Sequence, residues 1–335
     1  MPNILVTGGL GYIGSHTVVE LQTEGFDVII IDNLSNSSLE VLDRITSITN
    51  KKPVFFNIDL KNKNAVQDFF QNNIIDGVIH FAASKAVGES VQIPLDYYEN
   101  NIGSLVYLLQ ELKAKKINNF IFSSSCTVYG QADELPITEK APIKPAESPY
   151  GNTKKMGEEI IKDATKVSDL NAIALRYFNP IGAHKSAEIG ELPIGVPQNL
   201  IPYVTQTAAG IREELSVFGD DYPTKDGTAI RDYIHVVDLA KAHIVALKRL
   251  LKNNNKSNFE IFNLGTGTGN SVLEVIKSFE KVSGQKLNYK IAPRREGDIT
   301  SAYADTSFAN TELNWKAELT LDDALLSAWK WQQTL

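Results

Sequence analysis

Thr7-Gly8-Gly9-Leu10-Gly11-Tyr12-Ile13-Gly14 follows a short apolar run and opens a helical pattern over Ile13–Glu24. Glycines at 8, 11 and 14 give the spacing G-x-x-G-x-x-G. Such a strand-to-helix turn gathers backbone N–H groups and the positive end of a helix dipole at one point. Glycine there allows the tight turn and lets a pyrophosphate approach the backbone. Asp32 ends the next apolar run, about 20 residues on, where a carboxylate bonds ribose hydroxyls and repels a 2′-phosphate. Turn and acid together predict a dinucleotide site that prefers NAD to NADP. Asp59, at the end of the third run, reads either as an adenine-side group or as a loop cap.

Runs rich in Val, Ile, Leu and Phe recur at Ile4–Thr7, Asp27–Asp32, Val54–Asp59, Gly77–Phe81, Asn119–Ser124 and Ala172–Arg176. They read as strands buried on both faces. Helical patterns separate them at Ile13–Glu24, Leu39–Thr49, Ala65–Gln71, Pro94–Lys115 and Pro149–Lys166. The alternation predicts an α/β fold: a doubly wound, mostly parallel Rossmann sheet with right-handed crossovers. Ser37-x-x-Glu40 and Ser271-x-x-Glu274 read as capping boxes, and Ser148-Pro149 as an N-cap with proline at the first helical position. After Asn179 the chain turns rich in Pro, Gly and polar groups. Helical patterns return at Val237–Leu251, Val272–Val282 and Leu321–Gln332, with a strand at Phe259–Leu264. The expected layout is an NAD-binding domain over 1–178 and a smaller α/β substrate lobe over 179–335. The lobe is expected to pack closely with a cleft between, and 235–265 to cross back to the first domain.

The chain of 335 residues is 43% hydrophobic, enough for a full-size core. Its net charge of −7 argues against a nucleic-acid or membrane surface, and an anionic ligand would need a local cationic pocket. The single cysteine, Cys126, forms no internal disulfide, which fits a reducing compartment. With no signal-peptide pattern and no bilayer-length apolar run, the cytoplasm is the expected location. Cys126 has no partner base and reads as a small buried filler. The five histidines lack metal-ligand spacing, so no metal is expected.

Tyr150-Gly-Asn-Thr-Lys154 puts a phenol and an ammonium on one helical face. A free tyrosine titrates at about 10, and a nearby cation stabilises its phenolate. Ser123-Ser124-Ser125 ends the fifth strand, at the edge where ligands bind such sheets. A hydroxyl there can bond a substrate oxygen and steer a proton.

With Ser123-Ser-Ser-Cys-Thr-Val-Tyr-Gly, Tyr150-x-x-x-Lys154, Arg176-Tyr-Phe-Asn-Pro and the glycine turn, the chain resembles the extended short-chain dehydrogenase/reductases. Within them it is most similar to the UDP-glucose (UDP-galactose) 4-epimerase family. His80-Phe-Ala-Ala-Ser-Lys, Asp226-Gly-Thr-Ala-Ile-Arg-Asp-Tyr-Ile-His235 and Pro293-Arg-Arg-Glu-Gly-Asp298 extend the likeness over essentially the whole chain. The resemblance implies C4 epimerisation of UDP-hexoses through a 4-keto sugar, with tightly bound NAD regenerated at each turnover. It implies Tyr150 as the base, Lys154 as the group that lowers its pKa, and Ser125 as the hydroxyl partner, with Ser124 the alternative in register. Around NAD it implies Gly8, Gly11, Tyr12, Ile13, Gly14, Asp32, Asn33, Asp59, Leu60, Phe81, Ala82, Ala83, Lys85, Asn100, Ser123 and Phe178. Around the UDP-sugar it implies Lys85, Ser125, Thr127, Tyr150, Asn179, Asn199, Leu200, Phe218, Arg231, Tyr233, Arg295, Asp298 and Ala302. Guanidinium suits a diphosphate, whereas Arg294 reads as a surface ion pair. A homodimer through helices near 95–115 and 150–166 is a further expectation of the family.

One position departs from the family pattern. Members restricted to glucose and galactose carry a gating Tyr where this chain has Ala302. A smaller residue implies room for a 2-acetamido group, hence UDP-GlcNAc and UDP-GalNAc as further substrates. A slip of one residue would put Tyr303 there instead. Two rival readings stand: a sugar-nucleotide 4,6-dehydratase, and an NAD-binding regulator without turnover. The dehydratase needs an acid/base pair after the serine, where this chain has Cys126-Thr127.

Overall fold

A computed structural model describes residues 1–295 and 297–335. The first half runs β1 Asn3–Thr7, α1 Tyr12–Thr23, β2 Asp27–Asp32, α2 Glu40–Thr49, β3 Val54–Asn57, α3 Lys63–Asn72, β4 Gly77–His80, α4 Val87–Gln92, α5 Pro94–Tyr98, α6 Ser104–Lys115, β5 Asn119–Ser125, α7 Pro149–Lys166 and β6 Asn171–Tyr177. The second half runs β7 Asn179–Ile181, α8 Leu200–Ala208, β8 Leu215–Phe218, β9 Ile230–His235, α9 Val236–Leu251, β10 Phe259–Leu264, β11 Gly269–Ser271, α10 Val272–Ser283, β12 Tyr289–Ala292, β13 Ser301–Ala302, α11 Ser307–Glu312 and α12 Leu321–Gln332.

Seven strands form one sheet in the order β10-β6-β5-β4-β1-β2-β3. The run from β3 to β5 is parallel, with Val6 opposite both Ile30 and Ile79. This is the Rossmann strand order with β10 added at one edge. Ile4, Leu5 and Val6 are fully buried, as the central strand of a two-faced sheet requires. On one face Leu5, Val78 and Phe120 join Leu105 and Leu108 of α6 and Ile161 of α7 in a single core. The register brings Thr7 and His80 level at the carboxyl edge, where the chain leaves for its functional turns.

The structure corrects several local readings. β3 stops at Asn57, and Val54 is 53% exposed, because β3 is an edge strand with a single neighbour. The helix expected over Pro94–Lys115 breaks into α5, a π-turn at Glu99–Gly103 and α6. There Asn101 faces inward and donates to the Ser84 carbonyl (2.9 Å) and to Thr153 Oγ1 (3.0 Å). Ser37 makes no capping box, because its hydroxyl donates to Asp32 (2.8 Å) and α2 starts without a side-chain cap. The capping box at Ser271 and Glu274 forms as expected, and Ser148 caps α7. Helix α8 was not foreseen; Pro202 sits in its first turn, where proline is tolerated.

The chain divides into two compact units. The first takes in Met1–Val128, Pro145–Arg176 and Ala240–Phe262, and the second Tyr129–Lys144, Tyr177–Leu239 and Asn263–Leu335. In the second, β9 lies between β11 and β13 and also pairs with β7, while β12 pairs with β8. Its core joins Val204 of α8, Phe279 of α10 and Trp329 of α12.

A Cβ added at Gly14 would lie 2.2 Å from the Gly8 carbonyl oxygen, so α1 can seat on the turn only with glycine there. Gly14→Ala should therefore lower the stability of the first unit by about 1–3 kcal/mol, as overpacking against backbone does. A denaturation midpoint unchanged from wild type would contradict this seating.

Candidate active site

The glycine turn closes by Gly8 N–H donating to the Ile31 carbonyl (2.7 Å), with Gly8 at φ +70°. Its Cβ position is already filled by the backbone at Ala82, 2.8 Å away. No side chain caps the start of α1, and its first turn holds no acidic residue. Asp32 is buried beside it and accepts from Leu10 N (3.1 Å), Leu34 N (2.9 Å) and Ser37 Oγ. Asn33 donates to Asp59 (3.4 Å), so these two expected residues meet. Asp59 also caps Lys61 N (2.8 Å), the loop-cap reading, and Leu60 beside it is buried. After β4, Phe81 N and Ala82 N both donate to the Thr7 carbonyl (3.0 and 3.1 Å), tying the Phe81-Ala82-Ala83 stretch to the turn. The Lys85 ammonium lies 5.9 Å from the Tyr12 ring centroid, and Asn100 in the π-turn donates to Ser84 Oγ (3.1 Å). A nearby acid, an uncapped helix start and close-packed glycines fit a pyrophosphate dinucleotide. Phe178 is buried in the second unit.

Helix α7 brings Tyr150 and Lys154 onto one face. Lys154 is only 5% exposed, and its Nζ donates to the Ser123 carbonyl (2.6 Å). The same ammonium lies 5.1 Å from the Phe122 ring centroid and 5.9 Å from that of Tyr150. Burial lowers Lys154 to about 8, while the Glu158 carboxylate pulls the other way. His80 lies within hydrogen-bond reach of Thr7 Oγ1 (2.7 Å), and burial, helped by the Lys154 charge, holds it down at about 3. Lys154 thus has a neutral imidazole for a neighbour at neutral pH.

The two candidate serines separate clearly. Ser124 has no exposed surface, and its hydroxyl donates to Glu158 (2.5 Å). Arg176 forks onto the same carboxylate through Nε (2.9 Å) and Nη2 (2.5 Å). Ser124 is therefore spent on a buried ion pair. Ser125 Oγ accepts from Thr127 N (3.2 Å), and Thr127 Oγ1 is buried with no partner among the described residues. Glu158, Asn101 and the structural use of Arg176 are not among the residues expected from the sequence. The available signal for Glu158 was its place one turn beyond Lys154 on the same face. Cys126 is half-buried at the head of a 3-10 turn and not the buried filler expected.

In the second unit the cationic groups converge. Burial pushes the Tyr233 phenol up to about 12 against the pull of both Arg231 and Arg295, so these three lie together. Arg295 forks onto Asp298 (2.9 and 3.1 Å) and stacks 4.9 Å from the Phe218 ring centroid. Arg294 pairs with Asp221 (2.7 Å) and stacks on Tyr222. Asn179 stands opposite Tyr233, and Asn199, just before Leu200 at the start of α8, donates to Glu191 (2.6 Å). In β13, Ala302 stands opposite Arg231 and is buried. Strand alternation sends Tyr303 to the other face, where its ring packs at Gly269; a Cβ there would meet it at 3.0 Å. Among the described residues, no group of three or more His, Cys, Asp or Glu is placed to hold a metal ion. No described helix is long and apolar enough to cross a membrane.

Because Lys154 titrates near 8 when folded and near 10.5 when unfolded, its buried charge opposes folding below that window. Between pH 8 and 10.5 the folded chain releases the proton first, and stability rises by up to about 1.4 kcal/mol per pH unit. Wild type should thus gain stability relative to Lys154→Met as pH climbs from 8 to 10. A difference flat with pH would contradict the buried ammonium.

A family profile described as GDP-mannose 4,6 dehydratase matches residues 5–327. The UDP-glucose 4-epimerase of Bacillus subtilis is 52% identical over 332 residues, 99% of this chain and 97% of that one. The crystal structure of the UDP-glucose 4-epimerase from Stenotrophomonas maltophila with bound NAD and formylated UDP-arabinopyranose superposes with a TM-score of 0.96 at 48% identity, covering 100% of this chain and 98% of the other. The Bifidobacterium longum enzyme in complex with NAD+ and UDP gives 0.95 at 48% identity, covering 99% and 98%. With its glycine turn, its buried lysine beneath Tyr150 and full-length identity near one half, the chain belongs to the UDP-glucose 4-epimerases of the extended short-chain dehydrogenase/reductase family.

Proposed function

We propose that this chain interconverts UDP-glucose and UDP-galactose by inversion at C4, using NAD that stays bound. One observation carries the catalytic assignment: Lys154 is buried against the Ser123 carbonyl with Tyr150 on its own helix face. The first unit holds NAD, through the glycine turn, Asp32 and the Asn33–Asp59 pair. The second unit holds the UDP moiety, through Asn179, Asn199, Arg231, Arg295 and Asp298. Two guanidiniums acting on one tyrosine supply the local positive charge that an acidic chain needs for a diphosphate.

Bound NAD supplies the site that accepts and returns a hydride at C4. Tyr150, as phenolate, takes the proton of the 4-hydroxyl. Lys154 keeps a positive charge near the phenol and so favours its ionised form. Ser125 bonds the 4-oxygen and keeps it in line with Tyr150, and the Thr127 hydroxyl, without a partner among the described residues, offers a further bond to the hexose. The sugar must be held by its UDP end and left free to turn, so that either face of the 4-keto form can be reduced. Tyr150 then returns the proton. The two residues directly after Ser125 are Cys126 and Thr127 and not an Asp-Glu pair, so loss of the 6-hydroxyl lacks an acid and base at that place.

We extend the substrate range to UDP-GlcNAc and UDP-GalNAc. The support is Ala302 in register with Arg231, with Tyr303 turned away. We also read the chain as a cytoplasmic homodimer. Its face is the groove of about 400 Å³ between α6 and α7, lined by Val106, Leu109, Ile160 and Ala164, which a second copy would cover.

Incubation with each of the four UDP-hexoses, products separated chromatographically, tests the assignment. Wild type should convert both pairs, and Ala302→Tyr only glucose and galactose. If wild type leaves UDP-GlcNAc untouched, the N-acetyl extension falls. If it leaves UDP-galactose untouched or forms a 4-keto-6-deoxy sugar, the whole reading falls.

A further inference from the structure

Glu158 lies outside every role assigned above, yet it joins three elements that carry the catalytic groups. On α7 it stands one turn beyond Lys154 and two beyond Tyr150. From β5 it receives the Ser124 hydroxyl (2.5 Å), in the residue between Ser123 and Ser125. From β6 it receives the Arg176 fork (2.9 and 2.5 Å). The pair is buried, with side-chain exposures of 4% for Arg176 and 9% for Glu158, so solvent does little to screen it.

We propose that Glu158 is a positioning residue for catalysis: it fixes the spacing of α7 from β5 and keeps the Lys154 ammonium charged. The proposal rests on the reading of Tyr150 and Lys154 given above. Among the described residues, the groups facing Lys154 are few. Tyr150 and Glu158 lie on its own helix, the Ser123 carbonyl and Phe122 ring on β5, and neutral His80 on β4. Arg176 on β6 is neutralised by Glu158 itself. Among the described residues, Glu158 is then the carboxylate that opposes the burial of this ammonium. Arg176 and Ser124 hold that carboxylate still, and the same hydrogen bond sets Ser125 relative to Tyr150.

The test is the pH profile of UDP-galactose conversion by Glu158→Gln, with KM for the sugar, bound NAD content and melting temperature measured alongside. The amide keeps the shape and removes the charge. The alkaline limb should move down by about one pH unit. That makes kcat about fivefold lower than wild type at pH 8 and within about twofold at pH 6.5, with KM and NAD content unchanged. Glu158→Asp, which keeps the charge, should restore the limb. If Glu158→Gln does not fold, Ser124→Ala loosens the carboxylate and should move the limb the same way by less. A limb that stays in place in these variants while the melting temperature falls overturns the proposal, leaving Glu158 a structural ion pair. Tyr150→Phe, run in parallel, separates the two levels. If it is inactive while the limb stays fixed, only this inference fails; if it retains activity, the reading of Tyr150 fails.

Discussion

Burying the Lys154 ammonium is the constraint around which the first unit is arranged. A charge taken from water is unfavourable unless neighbours replace its hydration. Here the Ser123 carbonyl, two aromatic faces and a carboxylate one turn away do so. The arrangement also requires that no second cation lie close. His80 meets this by staying neutral, stacked near Phe120 and Phe122 and in reach of the Thr7 hydroxyl. Thr7 in turn begins the glycine turn. A single chain of contacts therefore runs from the dinucleotide turn, through β1 and β4, to the lysine.

The same logic governs charge in the second unit. The chain carries a net charge of −7, yet Arg231 and Arg295 both act on Tyr233. Asp298 and the Phe218 ring hold Arg295 in one pose, and an arginine already ordered loses less entropy when it binds an anion. On the proposed reading, local order and not overall charge lets an acidic protein take a diphosphate.

Much of this was legible in the sequence because it rests on short-range pattern. The strand runs, the glycine spacing and the Ser271–Glu274 cap depend on residues within a few positions of each other, and they appear where expected, save that β3 ends at Asn57 and not Asp59. What escaped depends on partners that the local pattern does not name. Ser37 looked like a helix cap but bonds Asp32, five residues back, across a turn. The break in the helix after Pro94 comes from Asn101 reaching Ser84 and Thr153, which periodicity cannot register. The choice between Ser124 and Ser125 needed Glu158 and Arg176, distant in sequence from both. Likewise the faces of Ala302 and Tyr303 were fixed only by the pairing of β13 with β9.

On the proposed function, the dinucleotide is a resident hydride store, reduced and reoxidised within one turnover. Purified protein given UDP-galactose and no added NAD tests it most directly. UDP-glucose should form at a rate that external NAD does not raise, and denaturing the protein should release about one NAD per chain. Turnover that depends on added NAD, with NADH accumulating in step with oxidised sugar, would contradict it.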